Sequence, residues 1–338
     1  MSEQRPTSER QTPIARAVAA ARAFTLTPER YTLVTRFALV MFTLIVLTGA
    51  AVRVTGSGLG CPTWPKCTQT SLYTELHLHG LIEFGNRVLT SVVGFAAVAA
   101  FAGAFVRKPF RKDLAWLSLG LPLGVLAQIV LGGFTVLYDL APGFVMSHYL
   151  LSMAILMACV ALDWRARHEP DEHGAAAGGT DRLVVRGTWA LLPIGAITIF
   201  AGTAATAAGP HAGGAGTGDV IDRLDFKGAE TLRYVVEQHA RLATLLGILA
   251  VALWVLAWRR GATPEQRRPL TWLCALLAAQ GVIGGVQYAL ELPAEIVWLH
   301  VTLAATTWVA ILWVVAAVGR SQPRRARSRS TEEPVAAR

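Results

Sequence analysis

The sequence predicts an all-α membrane protein, eight transmembrane helices forming two pseudo-symmetric four-helix bundles with both termini cytoplasmic. Three observations carry this expectation: eight apolar stretches of bilayer length, basic residues gathered at alternate ends of those stretches, and a motif that returns at the same register in the second half. Of 338 residues, 53% are hydrophobic and 16% charged, and the mean hydropathy is +0.45. That is more apolar content than one soluble core requires.

A helix needs about 20 apolar residues to cross a bilayer. Such stretches lie near 33–54, 80–106, 113–138, 143–163, 187–208, 232–258, 269–290 and 295–318. No cleavable signal peptide is expected ahead of them, because residues 1–30 lack an apolar stretch and carry arginines at 5, 10, 16, 22 and 30. Glu3, Glu9 and Glu29 speak against a mitochondrial transit peptide.

Orientation follows from the basic residues, since short positively charged loops stay on the cytoplasmic side. Arg107, Lys108, Arg111 and Lys112 follow the second stretch, Arg165, Arg167, Arg182 and Arg186 the fourth, and Arg259, Arg260, Arg267 and Arg268 the sixth. The alternate loops are poor in Lys and Arg, with Asp139 between stretches three and four and Glu291 and Glu295 between seven and eight. The net charge of +9 and pI near 9.9 are thereby assigned to topology and membrane lipid, and no nucleic-acid partner is expected.

The expected organisation is a disordered cytoplasmic tail over 1–29, a first half over 30–165, a cytoplasmic linker over 166–182, a second half over 183–320 and a disordered basic tail over 321–338. An internal repeat motivates the halves. Gln128-Ile-Val-Leu-Gly-Gly recurs as Gln280-Gly-Val-Ile-Gly-Gly, and each glutamine is followed twenty residues later by a histidine, His148 and His300. Upstream, Asn86 aligns with His239, 62 residues before His148 and 61 before His300 respectively.

Four-helix bundles commonly hold haem between histidines of facing helices. His239 and His300, at similar depth, are therefore expected to ligate one iron from opposite faces. A single intramembrane histidine is as well explained by helix packing; repetition of the pattern favours ligation. In the first half asparagine, a poor iron ligand, stands at 86. There His79, Glu83 and Asn86 share one helix face at i, i+4 and i+7. A carboxylate in apolar surroundings marks Glu83 as a functional candidate, the alternative being a simple i,i+4 pair with Arg87. Arg87 and Arg241 are candidate partners of haem propionates, with interfacial anchoring or pairing with local carboxylates as the alternatives. His211 either helps close the second pocket or is an exposed loop histidine, and His168 and His173 are expected to be solvated in the linker.

The run Gly56-Ser-Gly-Leu-Gly-Cys61-Pro-Thr-Trp-Pro-Lys-Cys67, then Ile82-Glu83-Phe84-Gly85-Asn86-Arg87, resembles the first outer loop and second span of bacterial haem A synthases. The resemblance extends to Leu131-Gly-Gly-Phe-Thr-Val, Gly209-Pro-His-Ala-Gly, His239 and His300, and covers about residues 30 to 320. It implies a multi-pass enzyme of the bacterial cytoplasmic membrane that oxidises a methyl group of haem O to a formyl group, giving haem A for terminal oxidases. It further implies a haem b cofactor on His239 and His300, substrate haem at His148, Asn86, Arg87 and His79, and Glu83 as the essential acid. Haem O synthase, an electron acceptor and oxidase assembly factors are the partners it implies. Many members carry histidine where this chain has Asn86.

Cys61 and Cys67 lie in the first outer loop, where a disulfide is expected on the oxidising side. Free thiols or a metal pair are the alternatives, and no further cysteine stands in that loop to complete a zinc site. Cys159 and Cys274 fall within spans and are expected to pack. Two other functions compete with the enzyme. A dihaem b-type electron carrier predicts two similar histidine pairs and leaves Glu83 without a role, whereas a non-enzymatic haem transporter or chaperone tolerates Asn86.

Overall fold

The computed structural model describes residues 24–74, 76–169, 181–214 and 216–318. Eight long helices run through the described residues: α1 Pro28–Val54, α2 Leu78–Val106, α3 Lys112–Leu137, α4 Pro142–Arg167, α5 Arg182–Ala208, α6 Thr231–Arg259, α7 Pro264–Ala289 and α8 Ala294–Val318. Each is long and apolar enough to cross a membrane, so the chain is a multi-pass integral membrane protein.

Helices α1, α5 and α7 begin ahead of the apolar stretches because capping, not hydropathy, sets a helix start. The Thr27 hydroxyl accepts from the Arg30 N–H, with Pro28 at the first helical position. Asp181 accepts the Leu183 N–H at 2.8 Å. Gln266 Oε1 accepts the Thr263 N–H at 3.1 Å ahead of Pro264. Residues 24–29, assigned above to the tail, are ordered for a related reason: the Leu26 N–H donates to Val106 O at 3.0 Å and Leu26 O accepts from the Lys108 N–H at 2.9 Å. Residues 1–23, the linker segment 170–180 with His173, and the closing tail fall outside the described residues.

Contacts run α1 to α2, α2 to α3, α3 to α4 and α4 back to α1, and the same ring recurs from α5 to α8. The rings meet along α1, α4, α5 and α8, where Trp308 Nε1 donates to Met153 O at 2.9 Å and Trp298 Nε1 to Leu47 O at 3.1 Å. Lipid tails are as apolar as leucine, so helix association in a bilayer rests on close packing and interhelical polar bonds. The buried Tyr31 hydroxyl accordingly donates to Ala100 O at 3.1 Å. The buried Asp163 carboxylate accepts from Thr35 Oγ1 at 3.0 Å and pairs with Arg167. Trp116, Leu126, Trp272 and Val282 remain exposed on α3 and α7, the outer members of each ring, as lipid-facing positions require.

The α3–α4 and α7–α8 turns are built alike. Asp139 and Leu140 have φ of 48° and 57°, and Glu291 and Leu292 have φ of 61° and 65°. The Leu140 N–H reaches Thr135 O at 2.8 Å and the Leu292 N–H reaches Gln287 O at 2.8 Å. Left-handed backbone costs an L-residue about 1–2 kcal/mol, so each turn carries the same strain immediately before a histidine-bearing helix.

Candidate functional site

His79, Glu83, Asn86, Arg87, His148, His239 and His300 all stand in the part of their helices nearer the Cys61–Cys67 loop. In the second half the rings of His239 on α6 and His300 on α8 lie 6.2 Å apart between centroids, at 79°. A backbone carbonyl only accepts, so the His239 Nδ1–H donates to Thr198 O at 3.0 Å, which leaves Nε2 free to bind a metal. Gln280 Nε2 donates to His300 O at 3.2 Å and holds the backbone beneath the second ring, while His300 Nδ1 is buried without a partner.

Glycines on the neighbouring helices make room for both rings. A Cβ on Gly202 would come within 3.0 Å of His239 Cε1, and one on Gly284 within 3.1 Å of His300 Cε1. Imidazole–metal bonds of about 2 Å on opposite faces of one ion set the ring centres roughly 6 Å apart, so this pair suits bis-histidine ligation of a haem iron.

The first half repeats one side of this arrangement and changes the other. Gln128 Nε2 donates to His148 O at 3.0 Å, and a Cβ on Gly132 would fall 3.1 Å from His148 Cε1. Opposite, at the place of His239, Asn86 Oδ1 accepts from Thr48 Oγ1 at 2.8 Å. Gly49 precedes Asn86 by the same 37 residues that separate Gly202 from His239, yet a Cβ on Gly49 would meet nothing within 4 Å. The glycine seat recurs without its imidazole, a correspondence that aligning the two halves one helix further upstream would have exposed.

Above this site Glu83 and Arg87 organise the loop. Glu83 is buried. Its Oε1 accepts from Arg87 Nη2 at 2.6 Å and Nε at 3.1 Å, and its Oε2 accepts the Cys61 N–H at 2.7 Å. Arg87 also donates to Cys61 O at 2.8 Å, Thr63 O at 3.1 Å and Lys66 O at 3.2 Å, which occupies all five guanidinium donors. Its guanidinium lies 5.3 Å from the centre of the Trp64 ring. Trp64 in turn rests on Gly133, where a Cβ would approach Trp64 Cδ1 to 2.7 Å. Cys61 and Cys67 are joined by a disulfide and buried beneath this network. The i,i+4 pair weighed above as the alternative for Glu83 is therefore present, and it comes with a bond to the loop that spacing alone did not reveal.

The remaining candidates are more peripheral. His79 Nδ1 is 2.8 Å from Ser57 Oγ and its ring packs on Gly216 of the α5–α6 loop, so it ties the two long loops together beside the Gly58 N–H to Gly213 O bond of 2.9 Å. His77 caps α2, accepting the Gly80 N–H. His211 Nε2–H donates to Leu292 O at 2.7 Å and fastens the α5–α6 loop onto the α7–α8 turn. Arg241 is largely exposed and pairs with Glu237 at 3.6 Å. Cys159 is a buried free thiol and Cys274 a half-buried one. His168, expected to be solvated, instead stacks on Trp164 at 4.2 Å, because it caps the end of α4 four residues after Trp164.

Fold and site together define a polytopic membrane protein with a histidine pair suited to haem in one half and a single histidine beside an acid in the other. The cytochrome oxidase assembly protein family COX15-CtaA matches residues 32–77 and 73–312, and the chain belongs to that family, as its resemblance to haem A synthases led one to expect. It is 28% identical over 257 residues to the Heme A synthase of Symbiobacterium thermophilum, covering 72% of this chain and 80% of that protein. It is 28% identical over 286 residues to a Protoheme IX farnesyltransferase of Thermus thermophilus, covering 80% of this chain and 45% of that protein. With the Heme A synthase of Alkalihalophilus pseudofirmus it shares 28% identity over 134 residues, 39% of this chain and 45% of the relative. The chain thus spans about half the length of several curated relatives it matches.

Proposed function

We propose that the protein is a haem A synthase of the bacterial cytoplasmic membrane that converts a methyl group of haem O to a formyl group through a hydroxylated intermediate, the carbon gaining one oxygen atom and the four electrons it loses passing to an external electron acceptor. The observation that carries this reading is the asymmetry at matched register: His239 and Val236 in the second half against Asn86 and Glu83 in the first. Two similar histidine pairs would favour a dihaem electron carrier, but only the second half has one.

In this reading His239 and His300 hold a haem b, which supplies one-electron redox chemistry when bound. The Thr198 carbonyl fixes the His239 tautomer, and Gln280 fixes the backbone of His300. The first half takes haem O as substrate, with His148 facing the iron. Asn86, already bonded to Thr48, contributes no second strong axial bond, which suits a ligand that must leave. Glu83 lies one helical turn from Asn86 and is held at both oxygens, by Arg87 and by the Cys61 N–H, so its ion-paired carboxylate is fixed in place beside the proposed site of oxidation. Preorganised charge of this kind needs no rearrangement as the reaction proceeds. Both long loops sit at the outer end, with the Cys61–Cys67 bridge above the first-half site.

Extraction and chromatography of haems from haem O-producing membranes, with and without this chain, tests the proposal. Appearance of haem A with the chain supports it. Unchanged haem O, with the chain still loaded with haem, points to a carrier or transporter instead.

A further inference from the structure

Arg53, in the last turn of α1, has no part in the network described above. Its Nε is buried without a hydrogen-bond partner, and among the described residues no carboxylate pairs with it. The α5–α6 loop passes over it at Gly213, where a Cβ would lie 3.8 Å from Arg53 Cγ. Arg53 is also one turn beyond Gly49 on the same face of α1, and so on the loop side of the Thr48–Asn86 bond. Leaving a guanidinium N–H buried without a partner is costly at membrane depth, and Arg87, the cation paired with Glu83, has every donor committed to that acid and the loop.

We propose that Arg53 binds a carboxylate of the macrocycle carried in the first half, and thereby sets which edge of that macrocycle faces Glu83. The proposal rests on the functional reading above and adds the residue that orients the substrate. An axial bond to His148 leaves the macrocycle free to turn about the iron–imidazole direction, so it does not select one peripheral methyl among several. A planar guanidinium at the rim does, because it grips a carboxylate through paired hydrogen bonds in a fixed geometry. The second half has Thr206 at the corresponding position, its hydroxyl spent on Gly202 O at 3.1 Å. A resident cofactor ligated from both faces has less need of such a grip.

The test is an absorbance titration of the purified full chain in detergent with ferric protohaem IX and, separately, its dimethyl ester, which lacks both carboxylates. His148→Ala identifies the first-half component of binding. The wild type is expected to prefer the diacid at least tenfold, equivalent to about 1.4 kcal/mol. Arg53→Leu is expected to bind the diacid as weakly as the ester with its ester affinity unchanged, and Arg53→Lys to recover part of the preference. Undiminished preference in Arg53→Leu overturns the proposal while leaving the first-half site intact. Should the leucine variant aggregate on gel filtration, Arg53→Gln is read by the same criterion. A wild type that takes up neither haem at the His148 site overturns this inference and the functional reading together.

Discussion

Glu83 Oε2 accepts the Cys61 N–H at 2.7 Å, so the acid on α2 is bonded directly to one end of the disulfide loop. A carboxylate can accept from Arg87 and Cys61 at once. The proposed catalytic charge and the closure of the loop over the first half are therefore properties of one side chain.

Glu83→Gln should abolish formation of haem A and leave the second-half haem b in place. Glutamine retains one acceptor oxygen, but its amide then faces a donor, either Arg87 or the Cys61 N–H, at a cost of about 1–3 kcal/mol for the unpaired group. Faster proteolytic nicking of residues 61–67 should accompany the loss of activity. Haem A accumulating at the wild-type rate would leave Glu83 as a structural clamp only.

His239→Ala and His300→Ala should each remove the low-spin b-type spectrum of the reduced protein, because each deletes one of two imidazoles set 6.2 Å apart. His148→Ala should retain it. Retention of the full low-spin spectrum in both second-half variants would exclude them as ligands.

Gly133 and Gly285 hold the same place in the two glycine pairs but have different neighbours. A methyl at 133 would press on Trp64 at 2.7 Å, whereas one at 285 meets nothing within 4 Å. Gly133→Ala should destabilise the protein by about 1–3 kcal/mol, as overpacking does, and expose the Cys61–Cys67 bridge to reductant. Gly285→Ala should be neutral in thermal unfolding and in thiol alkylation after mild reduction. Equal behaviour of the two would refute the seating of Trp64.

Glu291→Gly should raise thermal stability, since Glu291 adopts a φ of 61° and glycine removes the Cβ penalty of about 1–2 kcal/mol there, partly offset by its greater freedom in the unfolded chain. Asp139→Gly at the equivalent turn should act in the same direction. A fall in melting temperature for both, monitored by circular dichroism in detergent, would show that these turns carry no strain.

Hydropathy and the repeat were sufficient to place eight spans and to bring Gln128, His148, Gln280 and His300 to equivalent positions, because each depends on spacing along one helix or on a constant separation in the chain. Local capping then displaced the starts of α1, α5 and α7, since Thr27, Asp181 and Thr263 with Gln266 extend the helices beyond their apolar portions. Single side chains were harder to assign. His168 is solvated by composition but stacked by helix geometry, and Arg87 is a propionate candidate by charge alone.

The sequence by itself determined which helices exist, which residues recur, and that Asn86 interrupts the histidine pattern, all of them matters of order along the chain. Only the tertiary structure decided what each cation and each loop does. Arg87 is consumed by carbonyls of residues 61–66 and Arg53 Nε is left without a partner among the described residues, because hydrogen-bond partners are chosen by how the long loops fold back over the helix ends. That folding depends on close approaches such as Trp64 on Gly133 and Gly58 on Gly213, contacts between segments far apart in sequence for which neither hydropathy nor spacing carries a signal.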